Sequence, residues 1–88
     1  MSRSPSEKLL YLKRDDPDHF LGLDSYMSAR DLVRKCGFRS LGSDLLYREY
    51  PYQTKRVVIT YVRFEETSNP KDKSRTRYKI SDVAFLDA

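Results

Sequence analysis

Apolar positions fall densest between Lys55 and Phe64, where the run KRVVITYVRF carries Val57, Val58, Ile59, Tyr61, Val62 and Phe64 with no Gly or Pro to interrupt it. β-Branched and aromatic side chains fit a pleated surface, so this stretch reads as a β-strand. Its two faces, Val57/Ile59/Tyr61 and Val58/Thr60/Val62/Phe64, are both mainly apolar, a pattern expected of a strand at the centre of a sheet.

Other periodicities place the remaining elements around that strand. Ser4-Pro5-Ser6-Glu7 combines an N-cap residue, Pro at the first helical position and Glu at the third, so a short helix from about Pro5 to Lys13 is expected, burying Leu9, Leu10 and Leu12. A strand over Leu9–Leu12 is the competing reading. Asp15-Asp16-Pro17-Asp18-His19 is a turn or the start of a one-turn helix that Gly22 would end. Ser28 to Gly37 has the strongest helical signature. Ser28 and Asp31 have capping-box spacing, Met27 and Leu32 that of a hydrophobic staple, and Gly37 is placed to close the helix in the left-handed conformation. Ala29, Leu32, Val33 and Cys36 would then share one apolar face.

Leu41 to Tyr50 admits two readings. A second helix capped by Ser40 would turn Leu41, Leu45 and Leu46 inward, but Gly42 and the tyrosines weaken it. The better reading is a strand over about 45–50 after a helical turn, with Pro51-Tyr52-Gln53-Thr54 turning the chain back antiparallel. Residues 65–75 are polar and without apolar anchors, which predicts a long, mobile basic hairpin loop. Strand character resumes near Arg75 and continues through Tyr78, Ile80, Val83, Phe85 and Leu86. The apolar parity changes at Ser81-Asp82, which predicts a bulge or bend there.

Eighty-eight residues are enough for one domain spanning 1–88, with a flexible N-terminus over about 1–4. The expected class is α+β, with one or two helices packed on a three-stranded antiparallel sheet. Helix 28–37, a second helix over 41–50 and the basic hairpin would instead make a winged-helix arrangement, although Asp44 and Glu49 on the recognition helix would repel phosphates. With 34% charged residues and no Trp, the core is small, and a partner or homodimerisation would add stability. No apolar run approaches the roughly 20 residues of a membrane span and the N-terminus lacks a secretory signal, so no membrane contact is expected. The expected location is intracellular, cytoplasmic or, in a eukaryote, nuclear. A single cysteine, Cys36, allows neither an intramolecular disulfide nor a cysteine-based metal site.

The net charge of +4 is unevenly placed. Five basic residues and one acidic one lie between Lys71 and Lys79, leaving twelve of each sign elsewhere. Lys71, Lys73, Arg75, Arg77 and Lys79 alternate, so in an extended strand they would line one face about 6.6–6.8 Å apart. That spacing suits several phosphates of one nucleic-acid strand at once, each contact releasing counterions. The alternative is a solvated hairpin whose charges protect its edge from aggregation. Pairing Thr60 with Ile80 would put Arg63 opposite Arg77 and extend the cationic face; Arg39, Arg34 and Lys35 are further candidates. Tyr47, Tyr50, Tyr52 and Tyr61 cluster around the central hairpin, where they could stack unpaired bases or form cross-strand core pairs. The glycines that an RNA-recognition motif needs between its aromatics are absent from the central strand.

Nothing comparable supports catalysis or a cofactor. Asp15, Asp16, Asp18 and His19 match neither an EF-hand loop nor a zinc motif and are better read as a turn and helix cap, so no metal site is assigned. His19 and Cys36 make one potential nucleophile–base pair without a glycine-rich phosphate loop, and Cys36 lies on an apolar helix face. The sequence therefore predicts a non-enzymatic, nucleic-acid-binding regulatory protein that meets DNA or RNA phosphates through a basic β-hairpin arm. The alternative is a protein-interaction module, an accessory subunit or small inhibitor, whose tyrosine-rich sheet or sheet edge meets an acidic or apolar partner surface.

Overall fold

The structure, a computed structural model, describes residues 3–42, 44–64 and 77–87. Eight elements follow in chain order: α1 (Pro5–Asp15), α2 (Pro17–Phe20), β1 (Tyr26–Ser28), α3 (Asp31–Lys35), β2 (Arg39–Ser40), β3 (Leu45–Tyr52), β4 (Lys55–Phe64) and β5 (Arg77–Asp87). The five strands form one antiparallel sheet in the order β1-β5-β4-β3-β2. The domain is therefore α+β, and its apolar central strand β4 lies between two long partners.

Two strands more than expected are present, and both are edges. Tyr26–Ser28 pairs with Arg77–Lys79, and Arg39–Ser40 pairs with Leu46 and Tyr47. Segments of two or three residues have no periodicity of their own, so only tertiary pairing creates them. Leu45–Tyr52 is a strand through all eight residues and pairs with β4 from Leu45↔Val62 to Tyr52↔Lys55. That pairing removes both the second helix and the winged-helix arrangement. The hairpin turns at Gln53, which takes a positive φ of 56°.

The helices obey their local signals in part. The Ser4 hydroxyl caps α1 by accepting from the Glu7 N–H at 3.2 Å, and Leu9 and Leu12 are buried, but Leu10 faces outward. Asp16-Pro17 begins the one-turn helix α2. In the third segment, Ser28 Oγ accepts from the Asp31 N–H at 3.2 Å and Gly37 adopts φ 72°, as its capping signals require. Its winding is not α-helical over most of its length, because Asp31–Lys35 is a π-helix in which the Cys36 N–H reaches the Asp31 carbonyl. Gly37 then lets the Phe38 N–H return to the Leu32 carbonyl at 2.9 Å. The wider turn buries Leu32 and leaves Ala29 and Cys36 against the core, while Val33 is rotated out to 47% exposure.

All the described helices lie on one face of the sheet. Val57, Ile59 and Tyr61 of β4, Leu46, Tyr50 and Tyr52 of β3, and Tyr78, Ile80 and Val83 of β5 form the core with Leu9, Leu12, Phe20, Leu23, Leu32 and Phe38. Aromatic contacts fix this layer: Phe20 lies 4.8 Å from Tyr50, and Phe38 lies 5.3 Å from Tyr61 in a T-shaped pair. The expected irregularity is present where Thr60 pairs with Asp82 but Tyr61 pairs with Ile80, so Ser81 is the extra residue of a bulge. Without it, Tyr78 and Ile80 could not share the buried face with Val83.

Candidate nucleic-acid interface

The second face of the sheet carries no helix among the described residues, and its composition follows from the strand registers. Side chains of directly paired residues lie on the same face. One row across the sheet is thus Tyr26, Lys79, Val62 and Leu45, and the next toward the Phe64 end of β4 holds Ser28, Arg77 and Phe64. In the other direction come Asp82, Thr60, Tyr47 and Arg39, then Ala84, Val58 and Glu49. On this side Val58, Thr60, Val62 and Phe64 of β4 are half-buried and Arg56, at its start, is exposed; on the helical side Val57, Ile59 and Tyr61 are fully buried.

Cations and aromatic rings meet at one end of this uncovered face. Arg77, Lys79 and Arg39 are exposed, and Tyr26 is 62% exposed with its ring 5.8 Å from that of Phe64 in a T-shaped contact. Tyr47 faces Arg39 across the β2–β3 pair. Both line a cavity of about 300 Å³ with Gly37, Arg48 and Glu49 at the β2 edge. Two acidic side chains share this face: Asp82 lies in the row of Thr60, Tyr47 and Arg39, at the β5 end of that row, and Glu49, one row further on, accepts from Arg56 at 2.9 Å.

Several candidates occupy other places. Arg63 pairs with Tyr78, not with Arg77, because the true register is one residue away from Thr60↔Ile80. Its parity therefore sets it on the helical side of the sheet, where its guanidinium lies 3.8 Å from Asp44. Arg34 and Lys35 belong to α3 on that same side, and Lys35 lies 3.6 Å from Asp31. Of the five alternating cations, Arg77 and Lys79 do share a face; Lys71, Lys73 and Arg75, with the expected hairpin loop over 65–75, lie outside the described residues.

Three of the four tyrosines considered for stacking are core residues. Tyr50, Tyr52 and Tyr61 point into the helical layer, and only Tyr47 stands on the uncovered face. Burial pushes the Tyr50 hydroxyl up to about 12 and raises that of Tyr61 as well; for Tyr52 the larger cause is its hydrogen bond to the Asp15 carboxylate. Tyr26 and Phe64 escaped the sequence reading. Phe64 lay within the recognised apolar run, but Tyr26 becomes its neighbour only through the β1–β5 pairing.

The residues considered for chemistry are held structurally. His19 Nδ1 lies 2.7 Å from an Asp16 carboxylate oxygen, and Asp15 accepts from Tyr52. Cys36 follows α3, its carbonyl accepting from Arg48 and its thiol raised above the usual range, mainly by burial. Among the described residues, no group of three or more His, Cys, Asp and Glu side chains is arranged to hold a metal ion, and no helix is long and apolar enough to cross a membrane. No protein-family model, curated protein or solved structure matches the chain.

Proposed function

We propose that this chain is a small nucleic-acid-binding regulatory protein that works by contact and not by catalysis. The observation carrying this reading is that Arg77 and Lys79 are exposed on one face of β5, two residues apart, on the side of the sheet that no described helix covers. Two cations held on a strand about 6.8 Å apart match the repeat of a phosphate backbone, and they continue the alternation of Lys71, Lys73 and Arg75 in the sequence. Arg39 adds a further described cation on the same face.

Binding of labelled DNA and RNA over a salt series tests this function. Five phosphate contacts give a slope of log affinity against log salt near about −4.5 on duplex DNA, or about −3.5 on a single strand. Replacing Lys71, Lys73 and Arg75 by Ser is expected to make the slope shallower by about three contacts. Failure to bind any nucleic acid at low salt, or a flat salt dependence, rules the function out.

A protein-interaction role has one feature in its favour. From Arg48 to Tyr52, β3 has no strand on its outer side among the described residues, leaving a length of edge to which another chain could add. Pull-down with and without nuclease separates the readings: a single protein retained after nuclease treatment favours the edge, and its loss returns the argument to nucleic acid.

A further inference from the structure

Resting on that reading and narrowing its ligand, we infer that the uncovered sheet face is a stacking platform for single-stranded nucleic acid, with bases on Tyr26, Phe64 and Tyr47 and phosphates on Arg77, Lys79 and Arg39. A duplex offers cations its phosphates but hides the faces of its bases, so aromatic rings on a binding surface add affinity only where bases are unstacked. The uncovered face holds both kinds of group. Lys79 is directly between Tyr26 and Val62 in one row, and Arg77 is directly beside Phe64 in the next.

Tyr26 is the most informative of these residues. The residue is 62% exposed on a three-residue edge strand, and its one aromatic neighbour among the described residues is Phe64, at 5.8 Å and an interplanar angle of 62°. A T-shaped pair leaves a ring face available to a third ring, and here Lys79 is the residue paired with Tyr26 across the β1–β5 ladder. Tyr47, near the opposite edge, has Arg39 as its partner and a cavity of about 300 Å³ adjoining it. Strands about 4.8 Å apart put β1 and β3 roughly 14 Å from one another, enough for about two or three bases laid across the sheet.

Charge selects the occupant. Of the four described cations on this face, Arg77, Lys79 and Arg39 stand beside the aromatics, and Arg56 is engaged by Glu49 at 2.9 Å. The rows of Lys79 and Arg77 hold no acidic side chain among the described residues, and Asp82, in the row of Arg39, is separated from it by Thr60 and Tyr47. A polyanion with exposed aromatic faces fits this arrangement.

Fluorescence anisotropy of the full chain with a labelled single-stranded DNA, an RNA of the same sequence and the corresponding DNA duplex tests the inference. The expected result is tighter binding to single strands. Y26A and Y47A should each lose about fivefold to a hundredfold in affinity with the salt slope unchanged, while Y26F and Y47F stay near the parent. Should Y47A lose its circular-dichroism signal, the exposed Tyr26 alone decides. Equal or tighter binding to duplex, with the tyrosine variants unaffected but R77S and K79S weakened, overturns the platform and leaves the phosphate-contact function standing. Absence of binding to all three polymers overturns both.

Discussion

The Tyr61 hydroxyl donates to the backbone carbonyl of Asp24 at 2.5 Å, tying the middle of the central strand to the loop that leads into β1. The same hydroxyl lies 3.9 Å from Met27 Sδ, and the Tyr61 ring packs edge-on against Phe38. One side chain thus joins β4, the approach to the Tyr26 edge strand and the segment after α3. Tyr61→Phe keeps the ring contacts but leaves a part-buried carbonyl without its donor, which is expected to cost about 1–2 kcal/mol in urea unfolding. If the hydrogen bond positions β1, the variant should also speed amide exchange in Tyr26–Ser28 more than in β4.

Removal of apolar bulk from the same strand acts on a larger scale. Ile59 is fully buried between Arg48 on β3 and Val83 on β5, so Ile59→Ala is expected to cost about 2–5 kcal/mol, enough to unfold much of a marginal domain. Val33→Ala, at an exposed position of α3, should stay within about 0.5 kcal/mol of the parent. A loss at Val33 comparable to that at Ile59 would contradict the outward rotation of that residue.

What the sequence could reveal tracks the length and regularity of each element. The ten-residue run of β4 and the capping residues Ser4, Ser28 and Gly37 are local signals that the packed structure leaves in force. The bulge at Ser81 was legible because it leaves a parity change in a single strand. Edge strands of two or three residues have no pattern to read, and a π-wound turn differs from an α-helical one in hydrogen bonds that residue types do not announce. The candidate site suffered most from this, because one residue of register moves a side chain to the other face of a sheet. Arg63 crossed to the helical side in that way, while Tyr26 came onto the uncovered face through an edge strand absent from the sequence pattern.

Alkaline pH should unfold the domain through its buried tyrosines. The Tyr50 hydroxyl titrates near 10.0 when unfolded and at about 12 in the fold, and Tyr61 and Tyr52 are raised in the same direction. A raised folded-state value means that the native protein holds its proton while the unfolded chain releases it. The resulting stabilisation is complete below about pH 10 and falls as the pH climbs from there through about 12. Urea midpoints across this interval should decline steadily, with a shallower decline in Tyr50→Phe. An unchanged midpoint up to about pH 12 would contradict the burial of the Tyr50 and Tyr61 hydroxyls and the bond from Tyr52 to Asp15.

Cys36 should react slowly. Burial is the main cause raising its thiol above 9.0, with Asp31 adding to the shift and Arg48 and Lys35 opposing it. Since the thiolate is the nucleophile, alkylation at neutral pH should be much slower in the native protein than in urea. Equal rates in the two states would mean that the segment after α3 opens readily.

Gly37 and Gly22 form a matched pair for testing what ends α3. Gly37 has φ 72°, and a Cβ built on it would meet the Arg48 guanidinium at 3.6 Å, an ordinary contact distance. The penalty for Gly37→Ala is therefore one of backbone conformation: an L-residue in the left-handed region costs about 1–2 kcal/mol, offset in part by the lower entropy of the unfolded alanine chain. A net loss of about 1 kcal/mol is expected, and less for Gly37→Asn, whose side chain tolerates that region. Gly22 has no such φ and nothing within 4 Å of an added Cβ, so Gly22→Ala should be neutral or stabilising by up to about 1 kcal/mol. The Gly37 variants must also preserve the return bond from the Phe38 N–H to the Leu32 carbonyl, which sets Phe38 against Tyr61 and leads the chain into Arg39 of β2. Equal stability of Gly37→Ala and Gly22→Ala would show that the left-handed turn does not govern this end of the helix, and with it would go the account of how Arg39 comes to stand beside Tyr47.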